Sequence, residues 1–308
     1  MISKPIFLVG ARRSGTTLFR LMLDHHPEIS WHHKGFEYAF EMMEDNEFPS
    51  LNEYYEWLVN NRIFQLAELN INKDLTYPEL IDDFLYQIKI RDNKQYIGAT
   101  VHLYFDKILE IYPDAIFIHI TRDPRGVACS NIGLGWAGNG WGAAQSWLDS
   151  EKLWSKLKGS LSSEQYIEIT YESLIRETKH TLVGVCEFIG CLYDERMMSY
   201  VADGEPLPDP KMLDKWKSRL SKRDIQLIEA ALGGRMKERG YELSGPEQLK
   251  LTLLEIKILE FSNRASRAYS RLKRIGIYLF ISDFLSRRLH CKQWQYRVTA
   301  HISKLKNK

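Results

Sequence analysis

The chain has 308 residues, is 44% hydrophobic and 27% charged, and carries a formal net charge of +2. This composition excludes a disordered, fibrous or collagen-like chain and fits one large globular domain with room for an appendage. Its four cysteines (Cys129, Cys186, Cys191 and Cys291) form no CxxC pair and have no histidine-rich spacing, so neither a disulfide framework nor a metal site is expected.

In chain order, the apolar run Ile6–Val9 reads as a short buried strand ended by glycine. After a loop over residues 10–17, Leu18, Leu21, Met22 and Leu23 recur at helical spacing until Pro27. Residues 36–90, rich in aromatic and acidic side chains, read as a helical insertion broken at Pro49, Asn52 and Pro78. A second core strand is expected at 115–121 and a third at 166–170, each followed by a helix. Strands alternating with helices predict an α/β fold with a central parallel sheet flanked by helices.

Charge is unevenly distributed. Residues 250–308 hold 14 lysines and arginines against three acids, a local +11 that leaves −9 on the first 249 residues. Gly-Pro at 245–246 marks the edge, giving a domain over 1–245 and a basic helical C-terminal extension over 246–308. The extension spaces its apolar residues as helices do, which is compatible with a solvated basic face of no further role, packing on the acidic domain, a peripheral membrane contact or a partner contact. No nucleic acid is expected, because no nucleic-acid-binding motif accompanies the basic residues. The N-terminal apolar run is too short for a signal peptide and the run at 275–281 too short to span a bilayer, so a soluble cytoplasmic protein is expected.

The strongest chemical signal is Gly-Ala-Arg-Arg-Ser-Gly-Thr-Thr-Leu at 10–18, between a buried strand and a helix. A loop in this setting points backbone N–H groups inward, and the helix adds its positive end, which suits a multiply charged oxyanion. Arg12 and Arg13 supply permanent charge; Ser14, Gly15, Thr16 and Thr17 supply hydroxyl and amide donors. The Mg-nucleotide loop G-x-x-x-x-G-K-[ST] keeps a lysine where this chain has Thr16, which speaks against a triphosphatase.

With its Arg-Ser-Gly-Thr-Thr-Leu after an apolar strand, the segment resembles the 5′-phosphosulfate loop of sulfotransferases that use 3′-phosphoadenylyl sulfate (PAPS), although Arg12 stands where most members have proline. The resemblance covers roughly residues 1–243 and implies a P-loop-like three-layer fold with PAPS as co-substrate and no metal. It implies that Arg122, just after a core strand, and Ser130, eight residues later, hold the 3′-phosphate. Tyr171, in Ile-Thr-Tyr-Glu-Ser-Leu, is similar to the tyrosine that contacts the adenine. Lys215 and Lys217, around Trp216, resemble a basic Trp-Lys loop near the cofactor.

Sulfuryl transfer needs a base for the acceptor proton. The resemblance makes His102, in Thr-Val-His-Leu-Tyr, the first candidate, with Thr100 where relatives carry a lysine. Glu37 and His33 are rivals, because Golgi-type and many bacterial relatives place a glutamate in this region. Charge stabilisation falls to Arg13, and His119, His25 and His26 read as structural. The glycine-rich stretch 133–142, with Trp136, Trp141, Trp147 and Trp154 in and after it, suggests either an acceptor wall or helix anchors. The expected activity is sulfuryl transfer to a hydroxyl or amine of a small-molecule, glycan or lipid acceptor. The alternatives are a P-loop nucleotide kinase and a non-catalytic protein that binds PAPS or adenosine bisphosphate.

Overall fold

The computed structural model describes residues 2–44, 47–203, 207–245, 249–289 and 291–305, so Pro246 of the expected Gly-Pro boundary lies outside the described residues. The chain divides into two compact units, one of residues 1–127 and 146–218, the other of residues 128–145 and 219–308.

The first unit is built on five strands. They are β1 (Ile6–Val9), β2 (Ile29–Gly35), β3 (Tyr96–Val101), β4 (Ile116–Thr121) and β5 (Tyr166–Thr170). All pair in parallel, in the order β2-β3-β1-β4-β5. Helix α1 (Thr16–Asp24) follows β1. The segment between β2 and β3 holds a 3-10 turn at Glu37–Ala39, α2 (Leu51–Asn60), α3 (Arg62–Gln65) and α4 (Tyr77–Asp92). The rest of the described helices run α5 (Pro124–Gly133), α6 (Gly140–Lys158), α7 (Tyr171–Arg176), α8 (Thr178–Ile189), α9 (Lys215–Arg219), α10 (Lys222–Leu232), α11 (Gly234–Glu238), α12 (Leu253–Arg288) and α13 (Lys292–Leu305).

Strand alternation makes the three layers. Side chains of a strand point to opposite faces in turn. Ile6 and Leu8 therefore join Phe19, Met22 and Leu23 of α1 and Leu182 and Val185 of α8 in one core. Phe7 and Val9 join Leu80, Ile81 and Phe84 of α4 in the other. Each of these fully buried side chains contributes on the order of 1.5–3 kcal/mol. β2 and β3 were not expected as strands, because Ile-Ser-Trp-His-His-Lys-Gly is polar and Tyr-Ile-Gly-Ala-Thr-Val carries a central glycine. They hold together because Trp31 of β2 lies flat over Gly98, where a Cβ would come 2.3 Å from the ring, and donates Nε1–H to Thr100 at 3.1 Å.

In the second unit the glycine-rich stretch lies along α12. Asn263 accepts the Gly138 amide at 2.8 Å, and the Asn139 amide nitrogen donates to the Leu259 carbonyl at 2.9 Å. A Cβ on Gly138 would lie 2.3 Å from Cβ of Ser266. The glycines therefore serve close approach to a helix whose facing residues are themselves small. Trp147 and Trp154 are fully buried in the first unit and act as helix anchors, whereas Trp136 is 43% exposed. α12 starts on a capping box between Thr252 and Glu255 and departs from helical geometry at Gly276. Across that break Asp283 pairs with Arg271 at 2.8 Å, and on its own side of it with Arg287 at 3.1 Å. Among the described residues no helix is long and apolar enough to cross a membrane.

Candidate active site

The loop at 10–17 leaves the carboxyl end of β1 and turns directly into α1. Its tight path needs three residues at positive φ, Gly10 at 145°, Arg13 at 76° and Gly15 at 90°. Gly15 is the N-cap of α1 and offers no side-chain cap, so the first amides of the helix point out of its end. Ser14 is fully buried and its Oγ makes no hydrogen bond among the described residues. Thr16 is buried at the helix start, while Arg12, Arg13 and Thr17 are exposed. A buried donor left without an acceptor beside a positive helix end is the arrangement a bound oxyanion completes.

Two further segments close on this loop. Arg122, one residue past β4, donates Nη1–H to the Arg13 carbonyl at 3.1 Å. Its guanidinium lies 4.3 Å from the ring centre of Tyr171, the first residue of α7. Trp147 fixes the Arg122 backbone by donating Nε1–H to its carbonyl at 3.0 Å. The amide of Asp123 donates to Glu172 at 2.9 Å, which ties the ends of β4 and β5 together.

The basic Trp-Lys segment meets the start of α5. Trp216, nearly buried, carries the guanidinium of Arg125 at 4.1 Å, and Arg125 forks onto Asp123 with bonds of 3.0 and 2.8 Å. Lys217 pairs with Asp214 at 2.9 Å, and Lys215 begins α9. Ser130 belongs to the second unit and is described with it, on α5.

The candidate bases fall into two places. His102, just beyond β3, donates Nδ1–H to the Gly10 carbonyl at 2.9 Å, which leaves the lone pair on Nε2. Burial pushes its pKa below the ordinary histidine value; Glu37 and the Gly10 carbonyl pull it back up, and Arg12 lowers it. Glu37 is its neighbour, accepting the backbone amide of His102 at 3.3 Å and pairing with Arg12 at 3.3 Å. Glu37 packs so tightly on the end of β2 that a Cβ on Gly35 would fall 2.1 Å from its carboxylate. His33 lies apart from this pair and is bonded instead to Asp24, at the end of α1, at 3.2 Å. The structure thus joins His102, Glu37 and Arg12 around the loop. Sequence reasoning missed the Arg12–Glu37 pair and the bond from Trp147 to the Arg122 carbonyl, since neither spacing follows a local period. His119 is structural: it is fully buried, stacked on Trp154 at 4.4 Å, with Glu151 and Glu168 at 3.3 and 3.5 Å.

Comparison with known proteins finds a family match, distant relatives and a shared fold. The model of the Sulfotransferase family matches residues 5–195. An uncharacterized protein of Aquifex aeolicus (strain VF5) is 24% identical over 226 residues, covering 66% of this chain and 28% of that one. The chain thus spans well under a third of that relative's length. A Caenorhabditis briggsae protein provisionally named protein-tyrosine sulfotransferase is 23% identical over 208 residues, covering 63% of this chain and 68% of its own. Among solved structures, the sulfotransferase domain of the Synechococcus PCC 7002 olefin synthase superposes with a TM-score of 0.57 at 20% identity, over 78% of this chain and 97% of that one. The sulfotransferase domain of the curacin biosynthetic pathway gives 0.51 at 16% identity, over 78% and 98%.

Proposed function

Because the chain belongs to the sulfotransferase family, we propose that it moves a sulfuryl group from PAPS to an acceptor hydroxyl or amine, with His102 as the base. The observation that carries this reading is the meeting of two distant segments on one loop, through Arg122 with Arg13 and Tyr171 with Gly15.

The residues fit PAPS. The unpartnered Ser14 hydroxyl, the amides at the start of α1 and the charge of Arg13 suit its 5′-phosphosulfate, with Arg12, Thr16 and Thr17 at the margin. Arg122 offers a guanidinium fork to the 3′-phosphate and Tyr171 a ring to the adenine. When bound, PAPS supplies the activated sulfuryl group. Arg13 and the loop amides lower the cost of negative charge gathering on oxygens at the loop. Nε2 of His102 accepts the acceptor's proton as the new bond forms. Burial keeps that imidazole neutral near pH 7, the form a base requires. Glu37 acts as a positioning residue, holding the His102 backbone and balancing Arg12.

Small-molecule, glycan and lipid acceptors remain in view, and the nematode relative's name adds a protein tyrosine to the classes to be screened. Adenosine 3′,5′-bisphosphate should raise the melting temperature where ATP with Mg2+ does not; the reverse result would overturn the donor assignment. His102→Ala should abolish sulfuryl transfer from labelled PAPS while retaining adenosine 3′,5′-bisphosphate binding. Activity that survives this change but is lost in Glu37→Ala would move the base to Glu37.

A further inference from the structure

The sequence scatters its cysteines, yet the fold brings two of them together with a histidine and a methionine. α8 ends on Gly190 at φ 94°, with the Cys191 amide donating to the Cys186 carbonyl at 2.9 Å and the Gly190 amide to the Glu187 carbonyl at 3.2 Å. This is a Schellman ending, which sets the side chains at its two outer positions side by side, usually as an apolar contact. Here both positions are thiols. His26, in the connection from α1 to β2, brings a ring nitrogen so that it and the two Sγ atoms all lie within 4.8 Å of one another. Sδ of Met197, in the 3-10 stretch Glu195–Asp203, lies 3.7 Å from Sγ of Cys186. His26, Cys186, Cys191 and Met197 are 1%, 0%, 8% and 0% exposed.

We propose that His26, Cys186 and Cys191 bind a thiophilic d10 cation, Zn2+ or Cu+, with the Met197 thioether completing the sphere. Two thiolates, an imidazole and a thioether, with no carboxylate among them, select soft cations over Mg2+ or Ca2+. Metal–sulfur and metal–nitrogen bonds of about 2.3 and 2.0 Å place tetrahedral donors roughly 3.5–4 Å apart, so the cluster closes on a cation with small side-chain movements. The ring of His26 is held by the Leu192 carbonyl, 2.7 Å from Nε2, and by the Glu28 amide, 3.1 Å from Nδ1. A cation takes over the Nδ1 lone pair from the Glu28 amide, and the Nε2–H bond to the Leu192 carbonyl remains to orient the ring. Binding releases the two thiol protons. The site lies past the carboxyl end of α1, opposite the anion loop at its amino end, so the cation fastens α1, α8 and the 195–203 stretch together and takes no part in transfer.

The test uses the full chain, reduced and stripped with a chelator, in anaerobic buffer. Titration with Co2+ should give one equivalent with tetrahedral d–d and sulfur-to-metal absorption, displaced by Zn2+. A parallel Cu+ titration against a competing copper chelator decides which cation binds more tightly. In the wild-type chain the bound ion should protect two of the four thiols from alkylation. Cys191→Ser should lose stoichiometric uptake while keeping adenosine 3′,5′-bisphosphate binding, and Cys186→Ser gives the same reading where the first variant folds poorly. The proposal is overturned if no ion binds stoichiometrically to the reduced chain, or if bound ions leave Cys186 and Cys191 as reactive as before.

Discussion

Tyr171 presses its ring against Gly15 so closely that a Cβ added there would lie 2.2 Å from Cδ2. The turn into α1 and the start of α7 are therefore one packing unit, and the residue that caps the helix is fixed by a side chain more than 150 positions away.

Gly15→Ala should damage the loop although it adds a single methyl group. It meets both the ring and a φ of 90°, so a loss of about 1–3 kcal/mol is expected. The melting temperature should fall and affinity for adenosine 3′,5′-bisphosphate should drop at least tenfold, as calorimetry will show. Tyr171→Ala should relieve part of the stability loss in the double variant but none of the φ strain.

The pH profile of kcat/KM should report His102. Neutral imidazole is the active form, so activity rises with pH through its pKa and then levels off. Burial places this acidic limb below the ordinary value of 6.5. Glu37→Gln removes a charge that raises the pKa and should move the limb to lower pH. Arg12→Ala removes one that lowers it and should move the limb up.

His32 predicts an acid weakness unrelated to catalysis. It is buried, and the neutral ring donates Nδ1–H to the Lys34 carbonyl at 2.8 Å and accepts from the Tyr38 hydroxyl at 2.8 Å. Burial lowers its pKa from 6.5 to about 4. Between these values the unfolded chain binds a proton that the folded chain does not, so stability is full above pH 6.5 and falls as pH drops towards 4. The loss is roughly 3 kcal/mol. Urea unfolding at pH 7 and pH 5 should show the decline, and His32→Gln should flatten it.

Arg122→Lys should separate binding from chemistry. A lysine can neither fork nor lie flat on Tyr171 while reaching the Arg13 carbonyl. KM for PAPS should rise about tenfold or more with kcat changed much less; equal losses in both would place Arg122 in the transfer step instead.

Much of this was legible because some elements declare themselves locally. β1, β4 and β5 are short apolar runs ended by glycine, arginine or tyrosine, and the loop after β1 carries its own glycines and cations. β2 and β3 were hidden because their stability comes from Trp31 lying over Gly98, a match between strands that neither sequence shows alone. The Arg12–Glu37 pair was hidden in the same way, and His33, two residues from Gly35, was drawn in as a rival although it belongs with Asp24. The neighbourhood of the cysteines was the least legible. Their neighbourhood depends on the left-handed Gly190 and on a histidine 160 positions earlier, so a spacing rule could not find it.

The seam between the glycine-rich stretch and α12 also makes a recognition rule for related chains. Where a homologue keeps glycine at the positions of 138 and 142, it should also keep small or polar residues at those of 263 and 266, as Asn263 and Ser266 are here. Homologues that end before α12 are released from both halves of that constraint. The two stretches, more than 100 residues apart, should then have been gained and lost together, and this paired presence or absence can be checked by counting.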